Sequence, residues 1–226
     1  MASLQELYRA ATVLVASSPA LRDFSPWPEN PPAVPRAPER VPAVSCVQAL
    51  AVGAMSSRSE TARCDGEHRN RVQPLSPSVV PALPQAHTDL ISALAAAADD
   101  LEWRRTYTEA EVGADFMQRY GYVELLGPSG HFVDHTTRAY IGYWGEGLVY
   151  PWHAHQAEEL YFVVAGGAEF AVADGRYQRG VGDTQLHTAN QPHAMTTSPE
   201  GQGILTFVLW RGDGLAGLPS MTPSAT

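Results

Sequence analysis

Two histidines one residue apart, His153 and His155, are followed after three residues by Glu159, inside a stretch bounded by Gly147 and Gly166. Side chains two positions apart on a strand point to one face, so both imidazoles can aim at a single spot. Glu159 and Tyr161 can return to that face from the next strand after a short turn. Neutral imidazoles with one carboxylate suit a divalent first-row ion such as zinc, iron, manganese or nickel, and leave positions for water or substrate. A fourth donor must come from a strand distant in sequence. His193 follows Pro192 at the predicted start of a strand and fits better than His187, six residues earlier. The expected metal set is therefore His153, His155, Glu159 and His193, holding one divalent transition metal per chain. His68, His87, His131 and His135 stand alone and read as structural or surface residues, and Glu158 reads as a solvated neighbour.

The elements that must position these groups are legible as texture. After Gly121 the chain turns to short runs of valine, tyrosine, phenylalanine and threonine punctuated by glycine. These predict strands at Tyr122 to Leu126, Ala139 to Tyr143, Glu159 to Ala165, Ala168 to Ala173 and Gly203 to Trp210, enough for a small antiparallel barrel. Before it, Leu4, Leu7, Ala11 and Leu14 recur at helical spacing up to Pro19. Prolines then crowd the segment to Pro42, which predicts an extended, irregular path. Further helices are expected at Ala43 to Met55, at His87 to Trp103 with Leu90, Leu94 and Leu101 as its stripe, and at Glu109 to Arg119. The expected fold is mainly β with a helical N-terminal region. Residues 1–120 form that region, packing on the barrel, and residues 121–226 form the barrel that binds the metal.

Composition narrows the partners. The 226 residues carry a net charge of −9 without clustered cations, which argues against nucleic acid. No apolar run is long enough to span a bilayer, and the start, with Glu6 and Arg9 in an amphipathic pattern, lacks the form of a signal peptide, so a cytoplasmic location is expected. Cys46 and Cys64 are too few for a disulfide framework or a thiolate metal site.

The spacing of Gly147, His153, His155, Glu159 and Gly166 matches the first motif of the cupins at every position. Gly180, Gly182, Asp183 and the pair Pro192 and His193 resemble the second, although its usual Pro-x-Gly and trailing Asn are missing. Within the cupins, the segment from Tyr150 to Tyr161 resembles the bacterial dimethylsulfoniopropionate lyases, and the chain as a whole resembles their DddL type. That resemblance implies a jelly-roll cupin barrel, a bound divalent metal, and β-elimination of dimethylsulfoniopropionate to dimethyl sulfide and acrylate. It also implies catalytic roles for Tyr161 and Tyr150, and Tyr161, on the face of Glu159, is the first choice as base. A sulfonium substrate is a soft permanent cation that favours aromatic faces, which Trp152, Tyr143, Trp144 and Trp210 could offer. The same ligands would serve a dioxygenase or an isomerase, and a non-catalytic cupin that holds a small ligand is the reading of another class. A homodimer built by the N-terminal region is the expected association.

Overall fold

The structure is a computed structural model that describes residues 2–31 and 82–223. The helix expected at 43–55, together with Cys46, Cys64 and His68, lies outside the described residues. Helix α1 (Ala2–Ser17) buries Leu4, Leu7, Ala11 and Leu14 on one stripe, and α2 (Pro19–Phe24) starts on the proline that ends it. Helix α3 (Gln85–Ala97) buries Leu90, Ile91 and Leu94. It is shorter than expected. A single 3-10 turn at Ala98–Asp100 closes it, Leu101 is buried beyond it, and Trp103–Arg104 forms strand β1 beside Tyr122 and Val123. The stretch expected as one helix over 109–119 is divided at Gly113 into Glu109–Val112, opened by a capping box of Thr108 and Glu111, and Ala114–Arg119.

From there the chain is β structure. The principal strands are β2 (Tyr120–Gly127), β4 (Arg138–Trp144), β5 (Val149–Ala154), β6 (Glu158–Val172), β8 (Thr184–His187), β9 (His193–Thr197) and β10 (Ile204–Arg211). Shorter pieces are β3 (Phe132–Val133), β7 (Gly175–Gly180) and β11 (Ser220–Met221). Their spatial order is β1-β2-β4-β10-β6-β9-β5-β11, with every pairing antiparallel except β2 with β3. This curled antiparallel sheet is the barrel-like fold expected of a cupin.

One strand holds the curl together. The segments expected as two strands, Glu159 to Ala165 and Ala168 to Ala173, are the two halves of β6. Its first half pairs with β10 and β8, and its second with β7 and β9. The bend between them falls at Gly166, where φ is +74° and a Cβ would stand 1.9 Å from the carbonyl oxygen of Gly203, so only glycine fits. By passing from one set of partners to the other, β6 brings β5 and β9 across an interior from β4 and β10.

The sheet is covered on both faces. Ile141, Phe162, Val164, Leu205, Phe207 and Leu209 pack outward with the stripes of α1 and α3. Tyr140, Trp144, Tyr150, Tyr161, Phe170 and Trp210 pack inward. His87 Nδ1 donates to the Val164 carbonyl at 2.8 Å, and Arg211 donates to the Phe24 carbonyl at 2.7 Å, so polar bonds also tie α3 and α2 to the sheet.

Candidate metal centre and cavity

Alternation brings the polar groups inward from five strands. His153 on β5 lies directly opposite His193 on β9, and Glu159 on β6 lies between Trp210 on β10 and His187 on β8. Strand neighbours in register share a face, so these five side chains line one interior. His155 sits just beyond the end of β5. His153, His155 and His193 each present a ring nitrogen within 4.8 Å of the other two, and all three are buried.

The hydrogen bonds select the donor atom. Nδ1 of His153 lies 2.7 Å from the Pro151 carbonyl, Nδ1 of His155 lies 2.9 Å from that of Ala157, and Nδ1 of His193 lies 2.8 Å from that of Gln191. A carbonyl only accepts, so each Nδ1 carries a proton and Nε2 is the nitrogen turned to the interior. Nε2 of His155 hydrogen-bonds Glu159 Oε2 at 3.0 Å, and Nε2 of His193 lies 3.2 Å from the same oxygen, so a metal ion would take the place of the proton held there. Backbone carbonyls that orient imidazoles through Nδ1 are the outer support of a metal centre. Burial, with His193 adding to it, pushes His153 down to about 3, which keeps that imidazole neutral and able to ligate. Burial would raise the Glu159 carboxyl, but His155 and His193 beside it hold it well below the usual carboxylate range. Three imidazoles, each giving up any Nε2 proton on binding, and one ionised carboxylate fit a divalent ion.

His187 is the residue that sequence reasoning set aside and the structure brings in. Its ring stacks on His193 with centroids 3.8 Å apart and planes within 10°. The preference for His193, which follows Pro192 at a strand start, treats the two histidines as alternatives, whereas both point inward from separate strands.

Above the polar groups lies a small open cavity of about 40 Å³. Tyr150, Tyr161, His153 and Glu159 form its floor, while Tyr122, Tyr140, Trp144 and Trp210 supply aromatic wall. A Cβ on Gly142 would stand 2.6 Å from the Trp144 ring, so the bare glycine leaves that ring its place in the wall. Of the aromatic residues expected to meet substrate, Trp144 and Trp210 line this cavity and Tyr143 and Trp152 do not. Tyr143 alternates to the outer face of β4, where its hydroxyl donates to the Gln202 carbonyl at 3.0 Å. Trp152 lies half-buried on β5, outside the cavity lining. Sequence reasoning missed Tyr122 and Tyr140. The signal was available, since Tyr140 shares strand parity with Trp144.

Tyr150 needs a second device. It precedes His153 by three residues, and simple alternation would send it outward. One extra residue on β5 between Tyr150 and His153, a bulge at Pro151 and Trp152, returns it to the interior. There its ring lies 4.4 Å from that of His153. Burial raises the hydroxyls of both tyrosines well above the ordinary value. For Tyr161 the next cause is the charge of Glu159, whereas for Tyr150 it is the neighbouring tyrosines Tyr120 and Tyr107.

Comparison with known proteins gives a consistent result. The family model described as dimethylsulfoniopropionate lyase matches residues 47–202. The dimethylsulfoniopropionate lyase DddQ of Ruegeria pomeroyi is 39% identical over 152 residues, which cover 62% of this chain and 75% of that protein. A solved structure described under the DMSP lyases RdDddP and RnDddQII superposes with a TM-score of 0.78 at 38% identity, covering 98% of both chains. That of DddQ from Ruegeria pomeroyi gives 0.74 at 31% identity, covering 97% of this chain and 96% of the other. The Ruegeria pomeroyi relative is named DddQ, and the expected likeness to DddL in particular is not supported.

Proposed function

The chain belongs to the dimethylsulfoniopropionate lyase family, and on that premise we propose that it cleaves dimethylsulfoniopropionate to dimethyl sulfide and acrylate. We assign His153, His155, Glu159 and His193 to one divalent transition metal, with zinc, iron, manganese and nickel as the candidates. The observation that carries this reading is the convergence of oriented Nε2 atoms and an ionised carboxylate on the floor of an aromatic cavity. When bound, the ion would draw off the negative charge that develops on the substrate carboxylate and favour ionisation of a nearby tyrosine.

The remaining work falls to side chains. A tyrosinate takes the proton from the carbon beside the carboxylate. That C–H pair becomes the new double bond, and the C–S pair leaves with sulfur as dimethyl sulfide. Tyr150 is the base in this reading. What supports it over Tyr161 is charge, because the phenolate must form beside its neighbours, and Glu159 opposes that directly at Tyr161. Tyr161 then positions the carboxylate ligand and closes the floor. Trp144, Trp210, Tyr122 and Tyr140 would receive the sulfonium through their faces.

A cytoplasmic location and a homodimer complete the proposal, with the described helices before residue 101 seated on the barrel, to whose sheet strand β1 already belongs. The contacts of His87 and Arg211 with the opposite element support that seating. No described helix is long and apolar enough to cross a membrane.

The direct test is headspace analysis for dimethyl sulfide after mixing purified protein with dimethylsulfoniopropionate. Release of dimethyl sulfide with an equal amount of acrylate, independent of oxygen, is expected. No release from protein loaded with each candidate metal in turn would refute the lyase reading.

A further inference from the structure

His187 has no place in the ligand set assigned above, yet it is fully buried and neither ring nitrogen has a hydrogen-bond partner among the described residues. A polar group shut away from water without a partner is costly, and such groups in native proteins usually meet something. The surroundings indicate what. His187 pairs across the strands with Glu159, stacks on His193 and meets the ring of Tyr161 edge-on at 5.8 Å. Glu159, His187 and His193 each offer one ligand atom within 4.8 Å of the other two, as His153, His155 and His193 do.

We propose that His187 is a further metal donor, which gives the ion two overlapping seats. One seat is completed by His153 and His155, the other by His187, and both use Glu159 and His193. The two cannot be filled together. His193 Nδ1 is committed to the Gln191 carbonyl, so this histidine has only Nε2 to give, and one nitrogen lone pair serves one ion. The consequence is a mobile centre rather than a dinuclear one. An ion in the His187 seat leaves His153 free at the cavity floor, and an ion in the other seat leaves His187 free behind it. This rests on the assignment of the metal to Glu159 and His193.

The test is a cobalt(II) titration of the metal-free protein, read by visible absorption and by competition with a chelator. Wild type should bind one ion per chain. His187→Phe keeps the ring and the stack but removes both nitrogens. It should still bind one ion, with affinity lowered by about tenfold or more and an altered absorption band, because the donor set has changed. His153→Ala should retain one weakly held ion through the other seat, and the double variant His153→Ala/His187→Phe, left with His155, Glu159 and His193, should bind about tenfold more weakly still. His187→Gln, smaller and polar, provides the same comparison if the phenylalanine variant does not fold. Affinity and spectrum of either His187 variant equal to wild type would overturn the proposal while leaving the four-residue centre intact. So would a double variant that binds as well as His153→Ala alone, or a wild type that takes two ions. A wild type that binds no cobalt would instead remove the metal reading itself.

Discussion

Strands β4 and β10 each divide two kinds of interior. Their outward residues, Ala139, Ile141, Leu205, Phe207 and Leu209, join the apolar layer under the helices. Their inward residues, Tyr140, Trp144 and Trp210, join an interior of tyrosine, tryptophan and histidine. Both layers are buried, so the difference between them is chemical. The outer layer is held by non-directional burial and tolerates exchange of one apolar shape for another of similar volume. The inner layer holds polar tips that each need a partner, so it is specified atom by atom. Stability should therefore depend chiefly on the outer layer and chemistry on the inner.

The largest expected effect is on the inner layer. His155→Ala removes an Nε2 donor while leaving Glu159 in place, and should lower turnover by roughly a thousandfold through loss of several kcal/mol of charge stabilisation. Metal content after purification should fall with it. Phe207→Ala is the opposite case. Phe207 is fully buried in the outer layer, so a cavity should destabilise the fold by about 3–5 kcal/mol. The protein that remains folded should keep normal turnover and metal, measured by denaturant titration beside the activity assay. If Phe207→Ala instead lost turnover while folded, the division between the layers would fail.

Tyr150→Phe comes next. It should lower turnover by about a hundredfold, the scale for a general base, with fold and metal retained. Tyr161→Phe is the matched comparison and should cost less. The reverse order would make Tyr161 the base, and full activity in both would point to a base other than tyrosine.

How far all this was legible depends on which residues follow a period. His153 and Glu159 could be placed because spacing along strands fixes a face, and Leu90 and Leu94 because spacing along a helix does the same. What failed was parity and continuity. Tyr143 was grouped with Trp144 although adjacent residues on a strand face apart. Tyr150 reaches the interior only through a bulge, which has no periodic signature. Strand β6 was divided in two because Gly166 reads as a turn, whereas it serves as a bend inside one strand. His187 was weighed against His193 because sequence does not show that β8 and β9 both face inward. The expected helix to Trp103 ran on because Leu101 kept the stripe, although the chain had already entered a strand.

The smallest effect separates two roles for Trp210. Its indole Nε1 donates to Glu159 Oε1 at 2.7 Å, its ring stacks on His155 at 4.1 Å, and its side chain also lines the cavity. The residue holds Oε1 of the carboxylate while the histidines meet Oε2, so it can orient the metal ligand, meet the sulfonium, or do both. Trp210→Phe keeps an aromatic face and removes the donor. A hydrogen bond to a charged group contributes about 1.5–3 kcal/mol, and loss of such outer support to a ligand weakens metal binding about tenfold or more. We therefore expect the dissociation constant for the ion to rise by about tenfold, while KM for dimethylsulfoniopropionate at saturating metal changes little because the phenyl face remains. An unchanged metal affinity with a tenfold higher KM would assign Trp210 to the substrate instead. The retained ring makes the distinction clean, since only the N–H has been lost from the carboxylate and most of the cation-binding face is still present.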